Sequence, residues 1–450
     1  MKKFIYVALL ALGVLALMAS PAMAQEEKPF KIHGEVRVRG EYSANTTDFN
    51  EKVNDGSDFW PYRVRIAAEG QFAHNVSAWI EFQNADIGGG SGPVRTGFGL
   101  DGAFGGGSQV ELYQGNVTFN QIWSKNFNLR IGRQEIVAGN ELLLGDLDFY
   151  AGQSHDGVVG NWNLKKVNVM VWATRPTQTN LINFISANGS PDNNVFTGSN
   201  TGTQTFLGGY ATWTWKKDQS FDVYLMDLDT KQVSNVETVG VRWAHDVTTK
   251  DGFFWDAEIA QQFGDAFYAG VLAPGSPNSK AKGRAFEGWF GYNFRSGKNV
   301  HRIYARLEQA TGDDTSAGST DFQGFIPMFG DFNNRAGHGD WFRLQDATTG
   351  LGGGLAGGLK AISADYTGYY SDKHEFGVGY WKYKLEQSNG GTDDLGNAID
   401  IWYGYNYSRN VTFTASLSQL EPGDALKAIS VGGAFDDTVT RLYGQARLRF

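Results

Sequence analysis

From residue 31 onward, apolar and polar side chains alternate with a period of two, in segments of about ten residues broken by turn residues. The series opens with Lys31-Ile32-His33-Gly34-Glu35-Val36-Arg37-Val38-Arg39-Gly40-Glu41-Tyr42. At its close Leu442, Gly444, Ala446, Leu448 and Phe450 alternate with Arg441, Tyr443, Gln445, Arg447 and Arg449. Period two belongs to strands. Past Leu17 no apolar run approaches the ~18 residues a spanning helix needs, and amphipathic-helix spacing is missing. A soluble sandwich or propeller also alternates. An apolar terminal strand ending in Phe450 favours a transmembrane antiparallel β-barrel, because strands handed to the outer-membrane assembly machinery end this way, so Phe450 is read as an assembly signal.

The N-terminus agrees. Lys2 and Lys3 precede an apolar stretch from Phe4 to Leu17, and Ala22-Met23-Ala24 has the small-x-small form of a cleavage site. Residues 1–24 are therefore read as a signal peptide and residues 25–450 as one barrel domain in the bacterial outer membrane. Losing Lys2 and Lys3, and no acid, takes the formal charge from −9 to −11. That balance disfavours a nucleic-acid partner. The absence of cysteine excludes disulfides, thiol nucleophiles and iron–sulfur centres.

The alternating segments number eighteen. Nine run outward, at about 30–43, 76–85, 127–133, 166–174, 221–228, 253–263, 300–310, 375–385 and 411–420. Nine return, at about 59–71, 110–119, 154–163, 205–215, 235–245, 284–294, 358–370, 398–407 and 438–450. Connections after outward strands are mostly long and polar, such as 44–58, 86–109, 175–204, 264–283, 311–357 and 421–437, and the others are short. Long loops belong outside the cell and short turns in the periplasm. Phe72, Trp215, Phe221, Trp255, Phe294, Tyr370, Phe376, Tyr407 and Phe450 fall at the periplasmic strand ends, where an aromatic girdle meets headgroups, so lipid is one expected partner.

Three stretches resemble the alginate-export family of outer-membrane channels. They are Leu129-Arg130-Ile131-Gly132-Arg133-Gln134-Glu135 with His155-Asp156-Gly157-Val158; Gln323-Gly324-Phe325-Ile326-Pro327-Met328-Phe329 leading to Gly337-His338-Gly339-Asp340 in a long outer loop; and Leu395-Gly396 through Ile399-Asp400-Ile401 and Tyr405 to Leu420-Glu421-Pro422-Gly423-Asp424. The resemblance spans about 127–424. It implies an eighteen-stranded barrel conducting an anionic polysaccharide or other solutes outward, without transferring the substrate.

Parity assigns the lumen. With Val36, Val38, Tyr62, Val64 and Ile66 facing lipid, Arg37, Arg39, Arg63 and Arg65 face inward, and closure brings Arg441, Arg447 and Arg449 to the same wall. Arg130, Arg242, Arg302 and Arg306 also point inward, whereas Arg133 has outward parity. Arginine grips carboxylate or phosphate with two parallel donors, so the stripe suits an anion track. Glu35, Glu41, Glu69, Asp256, Glu258, Glu287, Glu308 and Asp400 share the lumen, so the arginines either attract anions or hold the wall together through ion pairs. Both readings stand at this point.

Other chemistry is sparse. Ser154-His155-Asp156 lists a triad's residues, but neighbours on a strand face opposite sides. The seven histidines have no metal-ligand spacing, and no cofactor or metal is expected. The glycine-rich stretch Gly88 to Gly107 lacks the ending of a phosphate loop and is a candidate flexible lid or constriction loop. A passive channel for anionic solutes or an acidic polysaccharide is thus favoured over a barrel serving as surface enzyme or adhesion scaffold.

Overall fold

In the computed structural model, residues 30–45, 49–52, 56–88, 110–176, 204–247, 250–267, 278–313, 321–326, 328–331, 333, 335–342, 357–388, 391–429 and 437–450 are described. The proposed signal peptide and the glycine-rich stretch beyond residue 88 lie outside them. The strands are β1 (Lys31–Ala44), β2 (Ser57–Ala73), β3 (Val76–Gly88), β4 (Glu111–Phe119), β5 (Phe127–Gln134), β6 (His155–Asn163), β7 (Val167–Pro176), β8 (Gln204–Lys216), β9 (Gln219–Thr230), β10 (Ser234–His245), β11 (Gly252–Phe267), β12 (Ser279–Lys280), β13 (Arg284–Ser296), β14 (Asn299–Thr311), β15 (Gly358–Tyr370), β16 (His374–Lys384), β17 (Asp394–Asn406), β18 (Val411–Pro422) and β19 (Val439–Arg449). The two-residue β12 rests on β11; the other eighteen form the wall, each antiparallel to its neighbours. Pairing of β1 with β19 closes the sheet. Closure leaves no edge, as a bilayer demands of every backbone donor and acceptor.

Exposure is inverted relative to a water-soluble domain. On β1, Val36, Val38 and Tyr42 are exposed while Glu35, Arg37, Arg39 and Glu41 are buried. The same inversion recurs on β2, where Ile66 is exposed and Arg63 and Arg65 are buried. Apolar side chains face out because lipid is the outer solvent. Phe450 completes the seam: its backbone exchanges hydrogen bonds with Gly34 at 2.8 and 3.0 Å. Its ring lies where a Cβ on residue 34 would come within 2.3 Å, so the ring takes this seat over the bare backbone of Gly34.

One expectation is corrected. Residues 323–340 do not stay in an outer loop; the described part of that connection, like 135–154, folds back inside the barrel. Leu142, Leu143, Leu144, Phe325, Met328 and Phe329 pack against the inward side chains of Val159, Trp172, Phe206, Tyr210 and Met226. Nearer the outer end, Trp341 and Phe342 pack with Trp381, Tyr383, Leu420 and Leu426. The connection read as long and polar after β18 also holds a six-residue helix, α1 (Asp424–Ile429). Ala425 and Leu426 are buried there, which anchors the turn to the barrel.

Candidate functional site

The two inward loops join across the lumen. Gly145 N–H donates to the Phe329 carbonyl at 2.7 Å, Phe329 N–H to Leu143 at 3.0 Å, and Asp331 N–H to Glu141 at 2.9 Å, making a short parallel bridge. Gly152, at φ 98°, lets loop 135–154 pass against β2 and β4: a Cβ there would meet Arg65 Nη2 and Tyr113 Oη at 2.4 Å. The result is a strut with one end on each side of the barrel.

One end docks on a basic wall. β1 lies between β2 and β19, and the register sets Arg37 opposite both Arg63 and Arg447. Like charges this close need anions between them. Glu35 accepts from Arg63 at 2.5 Å, Arg447 Nε at 2.6 Å and Arg449 at 3.2 Å. Asp148, on the loop, lies 2.5 Å from Arg63, 3.0 Å from Arg447, 3.2 Å from Arg65 and 3.9 Å from Arg37. Loop carbonyls occupy other donors: Asp148 O takes Arg37 at 2.5 Å, Phe149 O takes Arg39 at 3.1 Å and Ala151 O takes Arg65 at 2.7 Å. Farther out, Glu41 sits between Arg39 (3.2 Å) and Arg441 (3.1 Å) and accepts from Tyr150 Oη at 2.9 Å. Burial alone would raise Asp148; Arg63 and Arg65 outweigh it and hold the carboxyl below its ordinary range.

The other end docks on an acidic wall. Glu258, Glu287 and Glu308 are cross-strand neighbours on β11, β13 and β14, and Asp222, Asp256, Asp365 and Asp400 line the same side of the sheet. Their cations are fewer. Arg242 bridges Asp222 (2.8 Å) and Asp256, and Arg306 meets Asp365 at 3.2 Å. Arg335, from the second loop, pairs with Glu287 and donates to Asp331 O at 2.6 Å and to Asn140 O. Among the described residues neither Glu308 oxygen has a hydrogen-bond partner, nor has Glu258 Oε2.

Where the loops meet, Glu141, Asp146 and Asp331 bring one oxygen each within 4.8 Å of one another. Burial, then Asp146 and Asp331, raises Glu141 to about 7. Burial, then Asp148 and Asp331, raises Asp146 to about 6. Asp331 is raised by burial too. The strut therefore carries an anion at its basic-wall end, a cation at its acidic-wall end and a proton-hungry joint between.

The sequence-expected arginines mostly converge. Arg37, Arg39, Arg63, Arg65, Arg441, Arg447 and Arg449 share the basic wall. Arg242 and Arg306 stand on the acidic wall. Arg130 is occupied locally, with Gln134 and Glu135 O. Arg302 packs over the Phe254 ring at 4.0 Å and reaches Asp246 at 3.4 Å. Arg133 faces outward, as its parity indicated, and pairs with Asp156 at 2.8 Å. His155 is fully buried against Phe329 and Phe206 while Asp156 faces the other side, so the Ser154-His155-Asp156 run assembles no triad. Sequence reasoning missed Asp148 and Arg335, which lie in loops without periodicity. It also passed over Asp222 and Asp365, whose parity beside outward Phe221 and Tyr366 would have found them.

A family model described as alginate export matches residues 28–432. The chain belongs to the alginate-export family. This family member is an outer-membrane channel, and its barrel is shared with solved outer-membrane structures. Pseudomonas aeruginosa OpdL superposes with a TM-score of 0.60 at 8% identity, covering 94% of this chain and 98% of that one. Pseudomonas aeruginosa OccK8 (OprE) gives 0.59 at 13%, with 94% and 98% covered. Acinetobacter baumannii OccAB1 gives 0.58 at 10%, with 93% and 97% covered. At such identities the likeness is one of fold. No curated protein matches the chain.

Proposed function

We propose that this alginate-export channel passes carboxylate-bearing anions, small solutes or an acidic polysaccharide such as alginate, along the basic wall of β19, β1 and β2. One observation carries the reading: four arginines from three strands gather on a single carboxylate, Asp148, presented by a loop inside the lumen. A wall that holds the chain's own carboxylate in this way has the chemistry to hold a passing one. Asp148 and Arg447 keep 22% and 20% of their side chains open to solvent, so the gathering point is accessible. Charges at a narrow point of the pore set ion preference more than net charge does.

The test is a reversal potential in a planar bilayer under a potassium chloride gradient. The protein should prefer chloride, and Arg37→Glu with Arg447→Glu should weaken or invert that preference. Added oligouronate should block the current of the unmodified channel at lower concentration than that of the variant. Potassium preference in the unmodified channel, with no block, would assign control to the acidic wall and overturn the proposal.

A further inference from the structure

At the periplasmic end of β4 to β9, three consecutive turns form a patch that the lumen does not use. Backbone hydrogen bonds tie them side by side: Asn163 N–H donates to Asn126 O at 2.8 Å, and Thr214 N–H to Lys166 O at 2.8 Å. The turns carry Lys125, Lys165, Lys166, Lys216 and Lys217, all exposed. Among the described residues none of the five is in an ion pair. The one acid in these turns, Asp218, is engaged by Lys250 at 3.5 Å.

Immediately above the lysines the outer face is aromatic. Trp123 is 72% exposed and stacks on Phe127 at 5.5 Å, and Phe127 lies 4.2 Å from Trp162. Trp213 and Trp215 follow at 5.4 Å from each other, and Leu164 is exposed between the two groups. Four of the chain's 13 tryptophans thus stand in this one sector. Trp162 and Trp213 share the outward face with Val171 and Leu207, so the patch continues the lipid-facing surface.

We propose that this tryptophan–lysine sector is a binding site for anionic phospholipid headgroups of the periplasmic leaflet. Indole rings settle at the level of the glycerol and carbonyl groups, one end apolar and one end wet. Lysines one to four residues beyond them then reach the phosphates, where each cation near an anionic leaflet adds attraction. Unpaired lysines without nearby rings would suit a soluble polyanion equally well. The rings, facing outward and continuous with the lipid surface, select the bilayer. The site is independent of what the lumen carries.

The test uses the refolded protein in phosphatidylcholine vesicles containing a minor fraction of either dibrominated phosphatidylglycerol or dibrominated phosphatidylcholine, with tryptophan quenching as the readout. The phosphatidylglycerol probe should quench more strongly, and its relative association should fall about five-fold or more when all five lysines become Gln. Replacing the five by Arg should keep the preference, and so should Lys298→Gln, Lys373→Gln and Arg409→Gln together elsewhere on the rim. Retention of the heat-modifiable band on gels checks that each variant is folded. Equal quenching by both probes in the unmodified protein, or equal loss in the remote-rim variant, would overturn the proposal. So would polygalacturonate binding that needs the five lysines while the lipid preference does not.

Discussion

The two charged walls of the lumen are built from the same residue types and reach different balances. On the basic wall, every arginine from Arg37 to Arg447 meets a carboxylate or a loop carbonyl, and Asp148 alone serves four of them. On the acidic wall, seven carboxylates face Arg242, Arg306 and Arg335, and Glu308 is left without a hydrogen bond among the described residues. A charge buried with its partner costs much to break apart, whereas a surplus like charge costs something to keep. The basic wall is accordingly a clamp on the strut, and the acidic wall holds more carboxyl groups than it has arginines to meet them.

The largest expected difference lies in stability. Arg63→Ala strands Glu35 and Asp148 and should cost about 3–5 kcal/mol, read as earlier loss of the compact gel band on heating. Glu308→Gln replaces a buried carboxyl that has no hydrogen-bond partner among the described residues by a neutral group of the same shape, and should be neutral or stabilising, by up to about 1 kcal/mol. Equal losses in the two variants would erase the distinction between the walls. A smaller effect follows from Asp148→Asn, which frees four arginines from their shared anion. Its reversal potential should move toward chloride, and single-channel conductance should rise as the strut loosens. An unchanged potential would place the permeation path away from the clamp.

The smallest effect is in pH. Docked, Glu141 and Asp146 hold protons up to about 7 and about 6, above the ordinary carboxylate values they regain when undocked. Docking is therefore fully favoured below the ordinary range and loses that advantage as pH rises through about 7. Conductance should increase between about pH 4 and 7, and Glu141→Gln with Asp146→Asn should flatten the rise. A steeper dependence in that double variant would mean that other groups control the joint.

The wall was legible because each strand meets two solvents. Alternation read on β1, β2 and β19 located all seven arginines of the basic wall. The strut was not legible. Its burial depends on Trp172, Phe206 and Met226, inward residues that are apolar like their outward neighbours and so blur the period-two signal on β7, β8 and β9. Residues 135–154 and 321–342 have no period to read, and nothing local distinguishes Asp148 from a solvated loop acid. The helix α1, at six residues, is too short for a helical repeat to show.

The seam between Gly34 and Phe450 also sets an order of events. Glu35 and Arg447 are 412 residues apart in the chain, and they become neighbours only when the final strand meets the first. Contacts this remote in sequence form late, because the whole intervening chain must be ordered to bring them together. Until then Asp148 has at most part of its clamp, since Arg447 arrives with β19. The arrangement that holds the strut in the lumen therefore doubles as a certificate of completed closure: a barrel that fails at its last pairing also fails to fix its own strut.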